Sequence, residues 1–418
     1  MELFEDLRQG TVWEVLGQEG QQGAAKEREI GCFTTAPWFV LAPRPQNVSV
    51  SRPEEPRHTM RNDFADYLKG SLICLVVWGH LIQYVGCQSQ EIHYLDPIFK
   101  AIYTFHMPLF MAVSGYLSYP AIVRDELWPC LWRRFRQVVV PALCWLPIYV
   151  FAKLLMFMGE TGSITDGGRA FHSWLVPFRP GPYNLWFLWA IFAATVVVAT
   201  LRKFRLDRLE FFLVATVAML FAPEGGGIYL IKFMLPFFCL GYALAKGDQI
   251  RIPSTIPPLW VAIAWGFGIG CYWLWTPDTY VYTTRMWPAP ANLHNIALRY
   301  FAGVVISIIF VQTLFWIYRR VKSPVLSLWG RRSLDIYILH ILLLGIVEAF
   351  VHPGMDSPWF SWLGAPVLAG ILCQVSVFAG DWLERNPWLR IVLLGRIGTG
   401  RNNAPAPEPL GGPPMKPL

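Results

Sequence analysis

From about residue 60 to residue 385 the chain alternates between long apolar runs and short polar segments. Most of these runs have about 18 or more residues, enough for a helix to cross a hydrocarbon core of about 30 Å. The pattern predicts an all-α integral membrane protein built as a bundle of about ten transmembrane helices. The predicted spans cover residues 68–87, 97–118, 137–158, 184–201, 209–222, 228–245, 258–275, 296–318, 333–352 and 362–382.

The basic residues predict how this bundle is oriented. With the amino terminus inside, fifteen Lys and Arg residues fall in inner loops and three in outer loops. This asymmetry follows the positive-inside rule and predicts that both termini are cytoplasmic. The net charge of +7 therefore reports topology and does not indicate nucleic-acid binding.

The chain divides into three regions. Residues 1–59 are polar and resemble a disordered extension more than a signal peptide, and the alternative is that translation starts at Met60. Residues 60–385 form the predicted transmembrane domain. Residues 386–418 form a cytoplasmic tail that is rich in Pro and disordered at its end.

Composition excludes several classes of protein. Hydrophobic residues make up 54% of the chain and charged residues 15%, against about 25% charged in soluble domains. A cytosolic enzyme and a secreted domain are therefore excluded, and the continuous apolar runs argue against an outer-membrane barrel. The eight cysteines form no CxxC pair, so neither a structural zinc site nor a disulfide framework is expected, and no metal is predicted.

Ionisable residues inside predicted spans are the first candidates for function, because each is costly in lipid unless it faces a cavity or a partner. Lys69 and His80 are eleven positions apart in the first span and lie within about 20° of one helical face. The imidazole is a potential general base or acyl acceptor, and the cation is suited to an anionic donor. The alternatives are a snorkelling lysine and a packing histidine.

Three further patterns point to the same chemistry. His106 is followed by Pro108 in the second span, where a broken helix would line a pocket shared with His80. Arg133 and Arg136 stand three apart and form a plausible phosphate clamp, although such charges also fix topology or meet anionic lipid. In the ninth span Ser333, Tyr337 and His340 share one stripe, and helix packing is the alternative for Ser333. Lys232 and Arg299 lie near span ends, where we expect them to snorkel.

Together these segments resemble the acyltransferase 3 family, and within it the branch typified by fucose O-acetylases and exopolysaccharide acetyltransferases. The similar blocks run from about residue 60 to residue 385: DYLKGSLICLVVWGH, FHMPLFMAVSGYL, the RxxR pair at 133 and 136, LWFL at 185–188, and SLDIYILH at 333–340. The resemblance implies ten transmembrane helices and transfer of an acyl group, usually acetyl, from cytoplasmic acyl-CoA to a glycan hydroxyl.

Carried over by position, the resemblance makes His80 the essential histidine of the first helix. Lys69 takes a basic position at which arginine is usual, which keeps the charge but loses the bidentate fork. Arg133 and Arg136 would hold the phosphates of acetyl-CoA, while His106, Tyr337 or His340 would complete the catalytic centre. The expected acceptor is a bacterial exopolysaccharide or a lipid-linked oligosaccharide, and the expected location is the inner membrane, with polysaccharide-assembly proteins as potential partners.

Several alternatives stay open on sequence alone. A membrane transporter or flippase would also place ionisable residues inside helices, although the half-sequence pairing typical of transporters is not seen. Transfer of succinyl or another acyl group by the same fold is a second alternative, and a non-catalytic scaffold is a third. Direct transfer and an acyl-histidine intermediate are not distinguished.

Overall fold

The computed structural model describes residues 63–86, 92–161, 185–247, 258–350 and 359–396. Within these ranges every regular element is helical. The predicted extension 1–59 and the Pro-rich end of the tail lie outside the described residues. The prediction of an all-α protein is therefore confirmed for the described part of the chain.

Several helices continue through a tighter or wider helical turn. The first helix continues as a π-helical turn at Ile82–Gly86, and another π-helical turn, Phe135–Val139, joins the helix Leu127–Arg134 to the helix Val140–Thr161. The α-helices of the described residues are α1 Asp63–Leu81, α2 Pro97–Tyr103, α3 His106–Arg124, α4 Leu127–Arg134, α5 Val140–Thr161, α6 Trp186–Lys203, α7 Leu209–Leu220, α8 Ile228–Lys246, α9 Pro258–Leu274, α10 Leu293–Tyr318, α11 Pro324–Arg331, α12 Ser333–Phe350, α13 Ala365–Glu384 and α14 Pro387–Val392.

A helix lies at each of the ten predicted positions. Among the described residues, six helical segments are long and apolar enough to cross a membrane, judged by length and composition: Asp63–Gly86, Leu127–Ala152, Trp186–Lys203, Ile228–Lys246, Pro290–Tyr318 and Phe360–Glu384. Two shorter apolar helices occupy Leu209–Leu220 and Leu259–Leu274. A multi-pass membrane protein is supported, and the count of ten crossings with both termini inside stays a prediction.

The second predicted span is not one continuous helix. It consists of α2 and α3, separated at Thr104 and Phe105, so that His106 is the first residue of α3. Pro108 accounts for the break, because its ring would clash with the carbonyl of Thr104 in a continuous helix. The sequence predicted a disturbed helix here, and the structure places the disturbance before His106.

Helix α1 lies at the centre of the bundle, where α11, α12 and α13 pack against it. Glycine allows the closest of these approaches. A Cβ atom added to Gly70 would lie 1.8 Å from the carbonyl oxygen of Leu326, and one added to Gly330 would lie 1.7 Å from that of Asp66. Small residues of this kind let helix backbones approach in membranes, where van der Waals packing drives association.

Lys232 and Arg299 do not snorkel, so that prediction was wrong. Both side chains are fully buried. Lys232 donates to the carbonyl oxygen of Leu220 at 2.8 Å and pairs with Glu224 at 3.3 Å. Burial is possible because each cation has polar partners inside the protein, which replaces the hydration that snorkelling would preserve.

Arg299 organises the loop between α9 and α10. Its guanidinium donates to the carbonyl oxygens of Thr279 at 2.5 Å, Tyr280 at 3.1 Å and Asp278 at 3.2 Å. It also donates to the carbonyl oxygen of Arg285 at 3.3 Å. A single buried side chain therefore holds residues 278–285 against the bundle.

We predict that Arg299→Met destabilises the protein by about 3 kcal/mol, because several buried carbonyls lose a charged donor. The measurement is the thermal unfolding midpoint of purified protein in detergent. Arg285→Met is the matched control, since the Arg285 side chain is exposed in the same loop. Equal midpoints for the two variants would contradict the assigned role of Arg299.

Candidate active site

Two of the predicted histidines form a direct pair near the middle of the bundle. His80, near the end of α1, and His340, in α12, approach to 2.9 Å between Nδ1 and Nε2. Their rings are nearly parallel, with an interplanar angle of 9° and centroids 5.2 Å apart. His340 is fully buried, whereas His80 is partly exposed. The His80 ring is therefore the member of the pair that a substrate can reach.

The hydrogen bonds around the pair assign the position of each proton. Nδ1 of His340 lies 2.8 Å from the carbonyl oxygen of Ile336. A carbonyl only accepts, so this nitrogen carries the hydrogen, and Nε2 of neutral His340 is an acceptor. Nδ1 of His80 then donates to it, which leaves Nε2 of neutral His80 as a lone pair. An imidazole in this tautomer can act as a base or a nucleophile.

A cavity of about 480 Å³ opens at the end of the bundle that carries Lys69, Arg134, Arg331 and Arg396, here called the basic end. These four cations line it together with Ser333 near its mouth. Phosphate and carboxylate groups are the anions that such cations bind. The cavity is therefore suited to an anionic ligand.

Val76 and Tyr337 also line this cavity. Along the helix Val76 lies about 10 Å beyond Lys69, and only one turn separates it from His80. The Tyr337 ring is 5.9 Å from that of His340, and its hydroxyl accepts the N–H of Phe187 at 3.3 Å. The cavity thus extends from the cations to the neighbourhood of the histidine pair. Phe187, from the LWFL block, also lines it.

The two arginines of the predicted clamp, Arg133 and Arg136, do not face the cavity. Arg133 forms an ion pair with Asp125, and the Arg136 guanidinium lies over the Trp132 ring at 5.6 Å. Neither lines the cavity, whereas Arg134 lines it and donates to Ser118 Oγ at 2.5 Å. Arg134, Gln137 and Val138 share the face of α4 and its π-helical turn that points into the cavity. Arg134, which lies between the two predicted arginines in the sequence, therefore supplies the cation at this wall of the cavity.

His106 lies beside a different cavity. Its Nδ1 approaches the carbonyl oxygen of Ile102 at 2.7 Å, and its ring is 4.7 Å from that of Tyr103. It borders a small cavity with Tyr282 and Arg299. His80 does not line this small cavity, so the predicted pocket shared by His106 and His80 is not formed there. His340 is the residue that bonds to His80.

A charged network at the basic end was not predicted. Asp335 is fully buried and pairs with Arg396 at 2.5 Å and with Arg332 at 3.4 Å. Arg332 also pairs with Asp381 and with Glu384. The spacing of Arg332 and Asp335, three residues apart at the start of a helix, is the one local signal that predicts part of this network. Among the described residues, no group of three His, Cys, Asp or Glu side chains is arranged to hold a metal ion.

Comparison with known families decides the class of the protein. Residues 62–380 match a family described as an acyltransferase domain, the third of the acyltransferase families. The chain belongs to the acyltransferase 3 family. The match contains both histidines of the pair and every cavity cation except Arg396. This acyltransferase therefore has its paired imidazoles and most of its cation-lined cavity inside the family domain.

Curated relatives agree with this assignment. This acyltransferase is 33% identical over 266 residues to nodulation protein NolL of Sinorhizobium fredii, covering 63% of this chain and 71% of the relative. It is 32% identical over 309 residues to nodulation protein NolL of Mesorhizobium japonicum, covering 72% and 79%. Glucans biosynthesis protein C of Escherichia coli is 21% identical over 406 residues, covering 84% and 99%. No solved structure matches.

We predict that His340→Ala lowers kcat about 100-fold or more, because His80 loses the acceptor that fixes its tautomer and orientation. The KM for the acyl donor should stay within about threefold of wild type. Steady-state acyl transfer by purified protein is the measurement. His294→Ala is the matched control, since that histidine is exposed outside the cavity. A His340→Ala enzyme as fast as the control would contradict a functional pair.

Proposed function

We propose that the protein is a membrane O-acetyltransferase that moves an acetyl group from cytoplasmic acetyl-CoA to a sugar hydroxyl of a bacterial glycan. One observation carries this proposal: the tautomer of His80 leaves Nε2 as a lone pair close to the inner part of a cation-lined cavity. A base beside an anion-binding cavity is the arrangement that transfer from a phosphorylated thioester requires.

The charge of the donor matches the cations that line the cavity. Coenzyme A carries its phosphates at one end and its thioester at the other. Lys69, Arg134 and Arg331 would hold the phosphates at the basic end, and the thioester would reach towards Val76 and Tyr337. The volume of about 480 Å³ lies within the usual range for cofactor sites. Arg133 and Arg136, outside the cavity wall, would contribute through the general field of this end.

The chemistry follows from the assigned proton positions. His80 Nε2 takes the proton of the sugar hydroxyl as its oxygen attacks the thioester carbonyl, and the coenzyme leaves as a thiolate that recovers the proton. Alternatively, Nε2 attacks the carbonyl itself and the coenzyme leaves as a thiolate. The sugar oxygen then takes the acetyl group from the acetyl-imidazole, and its proton passes to the thiolate, which restores neutral His80. In either route His340 stabilises the charge on His80, and the Tyr337 hydroxyl would donate to the developing oxyanion. The proton of His106 is already donated to the Ile102 carbonyl, so His106 would act only through the packing around the pair.

Aromatic side chains on the other side of His80 support a sugar acceptor. The Tyr84 ring is 5.8 Å from the His80 ring, and Tyr84 and Tyr282 are 44% and 40% exposed. The Tyr103 ring is 6.2 Å from that of Tyr282, and its hydroxyl donates at 3.3 Å to Gln83, the residue before Tyr84. Amphipathic rings of this kind offer apolar faces and hydroxyl groups together, as sugars require.

The acceptor is proposed as an exopolysaccharide repeat unit or a lipid-linked oligosaccharide, at the bacterial inner membrane. The name of one relative refers to biosynthesis of glucans and that of two others to nodulation. The positive-inside rule would place the basic end in the cytoplasm, where the donor is made, and Tyr84 towards the outside. Succinyl or another acyl group is the alternative donor chemistry. Family membership and the paired imidazoles favour transfer over transport.

The test is the O-acetyl content of cell-surface polysaccharide from a strain in which the gene is deleted and then restored. We expect acetyl to return with wild-type protein and to stay absent with His80→Ala produced at the same level, because the base is lost. His294→Ala serves as control and should restore acetylation. Acetylation that never depends on the gene would rule out this acceptor class, and full restoration by His80→Ala would rule out the proposed base.

A further inference from the structure

The segment that follows the last long helix belongs to the cavity wall, although it lies beyond the family match, which ends at residue 380. Helix α14 is capped at its start by Asn386, whose side chain accepts the backbone N–H groups of Trp388 and Leu389. After α14 the chain turns back under the bundle, where Leu394 is fully buried and the Leu393 carbonyl accepts Trp145 Nε1–H at 2.9 Å. Leu394, Gly395 and Arg396 all line the cavity.

Gly395 allows this return. Its φ is +63°, in the left-handed region that favours glycine. A Cβ atom at this position would lie 2.2 Å from the carbonyl oxygen of Gln137, in the π-helical turn between α4 and α5. The segment therefore passes directly against the π-helical turn that follows Arg134 in the chain. Two arginines from distant parts of the chain consequently line one cavity.

Carboxylates fix the position of Arg396. Its Nη2 donates to Asp335 Oδ2 and its Nη1 to Glu384 Oε2, each at 2.5 Å. A guanidinium has five N–H donors in a planar fork, so these two bonds leave donors for a ligand. The side chain keeps 27% of its surface exposed, on the side of the cavity. Arg396 is thus held in one orientation before any ligand arrives.

We propose that Arg396 is an anion-binding residue of the donor cavity, that Asp335 and Glu384 are its positioning residues, and that residues 387–396 form a functional wall of the site. The inference rests on the proposed function, in which the ligand is the phosphate-bearing part of an acyl-CoA. It adds a binding residue from outside the family domain and gives the buried carboxylate of Asp335 a role in donor binding.

The test compares two acetyl donors, acetyl-CoA and S-acetylpantetheine, which carries the same thioester without phosphates. The acceptor is the oligosaccharide released from the host's surface polysaccharide and freed of acetyl groups by mild alkali. For Arg396→Gln we expect the KM for acetyl-CoA to rise about 10- to 100-fold, the loss of one charge-assisted hydrogen bond. The kcat and the KM for S-acetylpantetheine should change less than about threefold.

Two further variants make the result specific. Arg396→Lys keeps the charge and should recover part of the preference for acetyl-CoA, whereas Arg385→Gln changes an exposed arginine of the same region and should leave it unchanged. Because KM values and their ratio do not depend on how much protein folds, lower yield of Arg396→Gln does not obscure the outcome.

The outcomes separate the inference from the proposed function. Equal effects of Arg396→Gln on both donors would show a purely structural role or binding of a lipid phosphate, and would overturn the inference while leaving the proposed function intact. If wild-type protein transfers acetyl from neither donor, the proposed function fails and the inference falls with it.

Discussion

The hydrogen bond between His80 and His340 joins α1 to α12, although the two histidines are 260 positions apart in the chain. The direction of this hydrogen bond is set by the Ile336 carbonyl oxygen, which accepts the Nδ1 proton of His340. Nε2 of His340 can then only accept, so Nδ1 of His80 is the donor. The reactive nitrogen of His80 is therefore prepared by backbone geometry inside α12. Gly70 and Gly330 let α1 pack closely against α11, the helix that precedes α12 in the chain. The packing of α12 against α1 consequently brings together the two imidazoles of the candidate active site.

Charge is concentrated at one end of the same structure. Asp335 lies five residues before His340 in α12, so the helix that carries the second imidazole is also anchored at the basic end through Arg332 and Arg396. Because Asp335 pairs with two guanidinium groups, its charge keeps one partner when the other is removed. Anchoring of α12 and closure of the cavity by the terminal segment are thereby linked at one carboxylate.

Much of this fold could be predicted from sequence, because membrane spans are long, apolar and bounded by basic residues. The common face of Lys69 and His80, and the stripe of Ser333, Tyr337 and His340, followed from helical periodicity and correspond to residues in or beside the cavity. The partner of His80 could not be predicted, since periodicity describes one helix and the pair joins two.

Other features depended on packing between helices and were missed for that reason. Arg134 faces the cavity in place of Arg133 and Arg136 because the rotation of α4 is set by its neighbours and by the π-helical turn that follows. Arg299 is buried because the loop before its own helix folds back over it and directs carbonyl oxygens towards the guanidinium.

The most direct test of the paired imidazoles is a double-mutant cycle of His80→Ala and His340→Ala. Residual rates of acetyl transfer are measured with enzyme in excess over donor, so that slow variants remain measurable. If His340 acts only through His80, adding His340→Ala to His80→Ala should cost nothing further, and the two effects should be strongly non-additive. Losses that multiply in the double variant would show that the two histidines act independently and would contradict the account.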